Sequence, residues 1–146
     1  RRRVFRLSGL FGLNRASSYA PSGIDETELF KYQSQAIRDI AERGSAIFLG
    51  RASDYVLRDM ECLDVFICAP LQDRVRRVAE RTGMSVEEAE KFILKKEKAR
   101  RDYYNFFTFG DWGVASNYDL CLDSSLLGLD GCADLIIEFG RRCGRL

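Results

Sequence analysis

The sequence predicts an α/β fold in which a parallel sheet is flanked by helices. Three short apolar segments have the composition of buried strands: SAIFLG, CLDVFICAP and NYDLCLDSS. Segments with helical spacing of apolar residues separate them. Strands joined through helices pair in parallel, because a parallel connection needs a long crossover. The length of 146 residues fits a single domain.

The composition is that of a globular protein, and it excludes several kinds of chemistry. With 23 basic and 22 acidic residues the net charge is +1, so we expect neither a nucleic-acid partner nor a membrane. The chain has no histidine, which excludes serine–histidine and cysteine–histidine catalysis and histidine-ligated metals. Five scattered cysteines without a CxxC motif predict free thiols, no metal site and a cytoplasmic location.

The first 24 residues are rich in Arg, Ser and Gly and are predicted to be irregular, with one helical turn near residues 10–13. No leading strand is predicted, so the sheet has three expected strands. The first long helix is predicted over residues 26–43, where apolar residues recur on one stripe. Asp25 and Glu28 resemble a capping box at its start, and Gly44 ends it.

The remaining elements follow in alternation. SAIFLG is the first predicted strand, and ASDYVLRDM is a short helix with Ser53 as its expected cap. The second strand ends at Pro70, and the helix after it ends at Gly83. A capping box of Ser85 and Glu88 begins a long helix. A loop, FGDWGVAS, then leads to the third strand and a closing helix.

Gly50 and Arg51 follow the first predicted strand, at the edge where open α/β sheets bind ligands. Glycine allows the backbone to turn there, and the planar guanidinium of Arg51 suits a phosphate or a carboxylate. Asp54, three residues later, could orient Arg51. The alternative is a salt bridge between Arg51 and Asp54 that only stabilises the turn.

Two further basic clusters lie on predicted helices. Arg74, Arg77 and Arg81 share one face at spacings of three and four. They indicate either an anion site or a solvated face. In the run KKEKARRDYY, three basic residues share one face and Lys96 and Arg100 share another. A basic helix beside a loop could close over a polyphosphate.

The aromatic end of the long helix and the end of the third strand complete the candidates. Tyr103, Tyr104, Phe106 and Phe107 are predicted to pack in a core rather than to stack on bases. Asp123 is predicted to cap the closing helix, and the alternative is that it holds a loop near a base.

Three motifs in this order, GRASDYVL, RRDYYNFFT followed by WG, and YDLCLDSS, resemble the cytidylate kinase-like family of P-loop nucleoside monophosphate kinases. The resemblance covers about residues 29–131. It implies a P-loop NTPase fold and transfer of the γ-phosphoryl group of ATP, with Mg²⁺, to CMP or dCMP. It also implies four parts of one domain, namely an acceptor side, core elements, a lid-like helix and loop, and a C-terminal strand and helix, at residues 1–44, 45–82, 83–116 and 117–146.

On the acceptor side, the resemblance implies that Arg51 binds the acceptor phosphate and acts in catalysis. Gly50 would form part of the substrate-binding site, and Asp54 would support Arg51 or approach the acceptor nucleoside. Lys31 and Gln33 would contribute to substrate binding from the preceding helix.

On the donor side, the resemblance implies that Arg77 and Arg81 contact ATP. Arg81 would also act in catalysis, together with Lys98 and Arg100 of the lid-like helix. Phosphoryl transfer depends chiefly on positioning and charge neutralisation, which arginines can supply without histidine.

One element of the family pattern is absent from the sequence. No G-x-x-x-x-G-K-[ST] loop occurs in the 146 residues. The resemblance therefore predicts an N-terminally incomplete chain, in which the first strand, P-loop and first helix precede residue 1. Two alternatives remain, a non-catalytic nucleotide-binding protein and a P-loop kinase for another small acceptor. The base preference and the oligomeric state stay open, with a dimer as one alternative.

Overall fold

The computed structural model describes residues 4–9 and 25–146, and in the first segment it describes the side chains of Val4 and Arg6 alone. The strands are β1 (Val4–Gly9), β2 (Ala46–Leu49), β3 (Leu63–Cys68) and β4 (Leu120–Asp123). The helices are α1 (Glu26–Arg43), α2 (Ser53–Val56), α3 (Leu71–Thr82), α4 (Val86–Thr108) and α5 (Ser124–Arg142). The helical turn expected near residues 10–13 lies outside the described residues.

The four strands form one parallel sheet in the order β2-β1-β3-β4. Leu7 of β1 is in register with Leu49 of β2 and with Val65 of β3. Because all strands run in the same direction, their carboxyl ends lie at one edge of the sheet. The predicted parallel α/β architecture is confirmed. Among the described helices, none is both long and apolar enough to cross a membrane.

Strand β1 corrects two expectations, because the segment predicted to be irregular contains a strand and the sheet has a fourth member. The charge of Arg6 interrupts the apolar pattern of VFRLSG. In the folded chain, Arg6 is only 6% exposed and forms an ion pair with Asp64 of β3. A partner that is distant in sequence therefore compensates the buried charge, and no local pattern could reveal it.

Four of the five described helices follow their predicted bounds to within two residues, whereas α2, predicted over residues 52–60, covers only Ser53–Val56. The caps differ in detail. Helix α1 begins at residue 26 as expected, but the Asp25 carboxylate accepts a hydrogen bond from the backbone N–H of Thr27. The predicted capping box of Ser85 and Glu88 is present in both directions. Ser53 was expected to cap α2, and this was wrong, because Ala52 occupies that position in a left-handed conformation without a side-chain cap.

Asp123 is the N-cap of α5, as predicted. Its carboxylate accepts hydrogen bonds from the hydroxyl and the backbone N–H of Ser125, at 2.6 and 2.8 Å. These bonds stabilise the charged form and lower the pKa of Asp123.

Buried apolar residues form two separate clusters. The first joins β1, α1 and α2 around Val4, Ala41 and Leu57. The second lies between α3 and α4, around Val75, Ala89 and Ile93. The α3–α4 hairpin thus has an apolar core of its own.

Candidate functional site

The corner between β2 and α2 has an unusual backbone. Gly50, Arg51 and Ala52 have φ angles of 68°, 59° and 52°, so three successive residues lie in the left-handed region. This conformation costs roughly 1–2 kcal/mol for each residue with a side chain. The backbone N–H of Ser53 donates to the carbonyl of Gly50 at 3.2 Å and closes the turn. Such strain persists only where the surrounding structure imposes it, and it is typical of functional sites.

Arg51 at this corner is exposed, and α4 and α1 supply its neighbours. Its guanidinium carbon lies 5.9 Å from the centroid of the Tyr103 ring, within the range of a cation–π contact. The Tyr103 hydroxyl donates to Oε1 of Gln33 at 3.3 Å. Burial raises the pKa of Tyr103, and the nearby Arg51 charge acts in the opposite direction. The structure therefore brings Arg51, Tyr103 and Gln33 together.

Lys31 is not part of this group. It is exposed on α1 and precedes Gln33 by two residues. Two residues of an α-helix turn through about 200°, so the side chains of Lys31 and Gln33 leave the helix in nearly opposite directions.

Asp54 has its own partners. Its Oδ2 accepts a hydrogen bond of 2.7 Å from the hydroxyl of Tyr104, and its backbone carbonyl accepts one of 2.8 Å from Nη1 of Arg6. No salt bridge joins Asp54 to Arg51, although the structure describes both residues. The alternative of an Arg51–Asp54 pair that stabilises the turn is therefore not observed.

A cavity of about 450 Å³ lies at the carboxyl end of β3, between α3, α4 and the start of α5. Apolar side chains, including Phe92, Ile93 and Leu129, form part of its wall. Five basic residues also line it: Arg74, Arg77, Arg81, Lys96 and Arg100. Such a concentration of positive charge around an apolar cavity is suited to an anion with an organic part.

Hydrogen bonds hold two of these arginines in place. Arg74 donates from Nε to the carbonyl of Ala69 and pairs through Nη1 with Oε2 of Glu97, at 2.9 and 3.0 Å. Arg77 donates from Nη1 to the hydroxyl of Ser124 and from Nη2 to its carbonyl, both at 2.9 Å. Arg74 therefore joins the two helices of the hairpin, and Arg77 joins the hairpin to the start of α5, while both also face the cavity.

The other three basic side chains lie in different environments. Arg81 is exposed at the end of α3. Burial lowers the pKa of Arg100, and the repulsion from Arg74 adds to this, while Glu97 opposes both. Nζ of Lys96 lies 5.7 Å from the centroid of the Phe92 ring.

Lys98 differs from the predicted arrangement. It forms an exposed ion pair of 2.5 Å with Asp102 and does not line the cavity. Lys96, which had no predicted role, lies there instead. The available signal was the spacing of four that places Lys96 on the same helix face as Arg100.

Tyr103 and Tyr104 were expected only to pack in the core. The Tyr103 ring packs edge-on against Phe30 and at a tilt against Phe107, with ring centroids 6.1 and 4.9 Å apart. The polar contacts of the two tyrosines with the β2–α2 corner depend on tertiary structure, and no sequence spacing indicated them. Phe106 remains 64% exposed, so the aromatic end of α4 is only partly buried.

Helix α4 connects the cavity to the corner. Arg100 lines the cavity and Tyr103 lies against Arg51. Residues three apart are neighbours on a helix, about 4.5 Å apart along its axis. The two candidate subsites are thus adjacent, at the edge where open α/β sheets bind ligands.

Comparisons of sequence and structure show which known proteins this chain resembles. The model of the cytidylate kinase-like family matches residues 5–126. A cytidylate kinase of Methanopyrus kandleri is 36% identical over 97 residues, which cover 60% of this chain and 50% of that protein. One from Pyrobaculum aerophilum is 27% identical, over 94% of this chain and 83% of that protein. The chain spans about half the length of several curated relatives that it matches.

A solved structure supports the fold. The crystal structure of an uncharacterized protein from Eubacterium ventriosum matches 95% of this chain and 98% of that chain, with a TM-score of 0.81 and 20% identity. The family match covers most of the chain, and the resemblance read from the sequence motifs is confirmed. The chain belongs to the cytidylate kinase-like family.

Proposed function

We propose that this chain contributes the acceptor-binding corner and the lid of a P-loop nucleoside monophosphate kinase that transfers the γ-phosphoryl group of ATP to CMP or dCMP. One observation carries the proposal. Within one turn, α4 reaches both a basic cavity, through Arg100, and the Arg51 corner, through Tyr103. A phosphoryl transferase needs two anion subsites at such close range, because donor and acceptor must meet in line.

The acceptor phosphate is assigned to Arg51. Its guanidinium is exposed, at the carboxyl end of a strand, and no carboxylate of the described chain pairs with it. The planar group can bind two phosphate oxygens at once. Gln33 and Tyr103 lie beside it, and the acceptor nucleoside is assigned to that side of the corner.

The cavity is assigned to ATP. Its apolar wall would contact the base, and its arginines and Lys96 would neutralise the phosphates. Arg81 is exposed, so its side chain can move with the phosphoryl group during transfer. Arg77 is held in place by its hydrogen bonds to Ser124. Arg100 is assigned a direct role beside the transferring phosphoryl group. For Lys98 to act there, its ion pair with Asp102 would have to open.

The described residues do not form a binding site of their own for Mg²⁺. Within the described part of the chain, no three or more acidic or cysteine side chains come together to form a metal site. We expect the ion to be held mainly by the nucleotide phosphates, and no step of the proposal depends on a metal ligand from these residues.

The test is ADP formation by the full-length protein with ATP, Mg²⁺ and each of CMP, dCMP, UMP and AMP. The expected result is turnover with CMP and dCMP at the highest kcat/KM. Turnover with a different small acceptor alone would favour the broader P-loop kinase. Saturable binding of CMP and ATP without turnover would identify a non-catalytic nucleotide-binding protein.

Arg51→Ala tests the acceptor site directly. Loss of a phosphate ligand should reduce kcat/KM for CMP by roughly 10²–10³-fold, which corresponds to about 3–4 kcal/mol. Arg58→Ala is the matched control, because Arg58 is an exposed arginine of the same region whose guanidinium lies over the Tyr55 ring. Equal kinetics for Arg51→Ala and Arg58→Ala would contradict the assignment.

A further inference from the structure

The network around Asp54 suggests a role for a residue that touches neither proposed substrate. We infer that Tyr104 is a positioning residue that keeps the Asp54 carboxylate away from Arg51 and so leaves Arg51 available for the acceptor phosphate. This inference rests on the proposed function. The interaction that carries this role is the hydrogen bond from the Tyr104 hydroxyl to Oδ2 of Asp54.

The hydrogen bond has the geometry of a strong one. The oxygen–oxygen distance is 2.7 Å, and the Tyr104 side chain is buried, with 8% of the residue exposed. Burial and the Asp54 hydrogen bond both raise the pKa of Tyr104. The tyrosine therefore remains a donor throughout the neutral range, and a hydrogen bond to a carboxylate is about twice as strong as one between neutral groups.

Arg6 is a second cation close to Asp54, and it bonds to the Asp54 backbone rather than to the carboxylate. Arg6 donates from Nη1 to the Asp54 carbonyl, and it pairs through Nη2 with Asp64. The backbone of Asp54 is thus held from β1, and the direction of its carboxylate depends on Tyr104. Both terminal nitrogens of Arg6 are engaged in these contacts, and its buried Nε has no partner among the described residues.

Arg51 is the remaining cation at the corner. It precedes Asp54 by three residues and forms no salt bridge with it in the structure. Without the tyrosine hydroxyl, a half-buried carboxylate would lose its partner, which is costly. Rotation toward Arg51 would restore a charge-assisted pair and occupy the guanidinium.

Two adjacent tyrosines therefore have different tasks. Tyr103 lies against the Arg51 guanidinium, and Tyr104 holds the competing carboxylate. Both residues belong to α4, so the availability of the Arg51 guanidinium depends on the position of this helix.

The test is a double-mutant cycle on the full chain, with CMP affinity measured by calorimetry. In the wild-type background, Tyr104→Phe should raise the Kd for CMP about tenfold. In a chain that already carries Asp54→Asn, the same substitution should change the Kd less than about twofold, because no carboxylate can then compete. Tyr32→Phe, at an exposed tyrosine of α1, is the control and should leave the Kd unchanged.

A crystal structure of the Tyr104→Phe variant gives a second readout that needs no nucleotide. It should show Asp54 within about 4 Å of the Arg51 guanidinium. Equal loss of affinity in both backgrounds, no loss in either, or an Asp54 carboxylate that stays away from Arg51 would overturn the inference. If the wild-type chain binds no CMP, the proposed function fails, and the variant structure still decides the role of Tyr104.

Discussion

Arg77 and Arg81 lie one turn apart on α3 and face the same cavity, but their partners differ. Arg77 bonds to both the hydroxyl and the carbonyl of Ser124, which is completely buried. Arg81 is exposed. At the scale of single residues, Arg77 therefore stabilises the fold through its hydrogen bonds, whereas Arg81 is proposed to act only in ATP binding.

We predict that Arg81→Ala weakens ATP binding about tenfold, or about 1.4 kcal/mol, and changes the free energy of unfolding by less than about 0.5 kcal/mol. Arg77→Ala should weaken binding and also destabilise the fold by about 1–3 kcal/mol, because buried oxygens of Ser124 lose their donors. Calorimetry with ATP and urea unfolding measure the two effects. A similar loss of stability in both variants would contradict the distinction.

At the scale of elements, the carboxyl-terminal cap of α4 is strained. Phe109 has a φ of 55° and is 92% exposed, so its ring contributes little packing and its backbone lies in a region that favours glycine. We predict that Phe109→Gly stabilises the chain by about 0.5–1 kcal/mol in thermal or urea unfolding. Phe106→Gly, at an exposed phenylalanine inside the same helix, should destabilise it by about 1 kcal/mol or more. Changes of the same sign would refute this explanation.

The capping box at the other end of α4 makes its stability depend on pH. The hydrogen bond from the backbone N–H of Ser85 lowers the pKa of Glu88. A carboxylate with a lowered folded pKa contributes stability that is present above its unfolded pKa of about 4.3 and is lost as the pH falls through the folded pKa. Glu88→Ala should therefore be most destabilising at neutral pH, with the difference shrinking in acid. Urea unfolding across this range measures it.

Glu88→Gln is the control for that experiment. The amide oxygen can still accept from Ser85, but it does not titrate. Neither variant titrates at this position, so the difference in stability between Glu88→Gln and Glu88→Ala should not change across this pH range, while each variant's difference from the wild-type chain should shrink in acid. An Ala variant whose cost is the same at neutral and acid pH would exclude the carboxylate as the source.

At the scale of the whole molecule, a buried ion pair joins β1 to the rest of the sheet. The side chains of Arg6 and Asp64 are only 7% and 15% exposed. Burial raises the pKa of Asp64, although Arg6 opposes this, so the charged pair forms at a cost. We expect the pair to select the position of β1 between β2 and β3 more than it adds stability.

We predict that Asp64→Ala destabilises the fold by about 3–5 kcal/mol, because it leaves a buried arginine without its carboxylate. Arg6→Met combined with Asp64→Leu should recover most of that loss, since the two apolar side chains need no partner. Denaturant unfolding of the three proteins measures both steps. A double variant as unstable as Asp64→Ala would mean that the pair itself supplies the stability.

Local patterns in the sequence determined much of this molecule. The bounds of α1, the capping box of α4, the cap at Asp123 and three of the four strands follow from periodicity and from contacts within a few residues. The position of Arg51 at a strand-to-helix corner follows in the same way, but the local sequence left open whether Arg51 binds an anion or pairs with Asp54. The motifs that carry the family resemblance are also contiguous in sequence.

Tertiary structure alone decided how these pieces meet. Strand β1 is stable because Asp64 compensates Arg6, Arg77 is bonded to Ser124, and Asp54 is held by Tyr104 rather than by Arg51. The exact phase of α4 brought Lys96 to the cavity and left Lys98 paired with Asp102. Each of the first three contacts joins residues about 50 positions apart, and the physical reason is the same in each case. A buried polar group needs a partner, and packing of the elements determines which partner lies within reach.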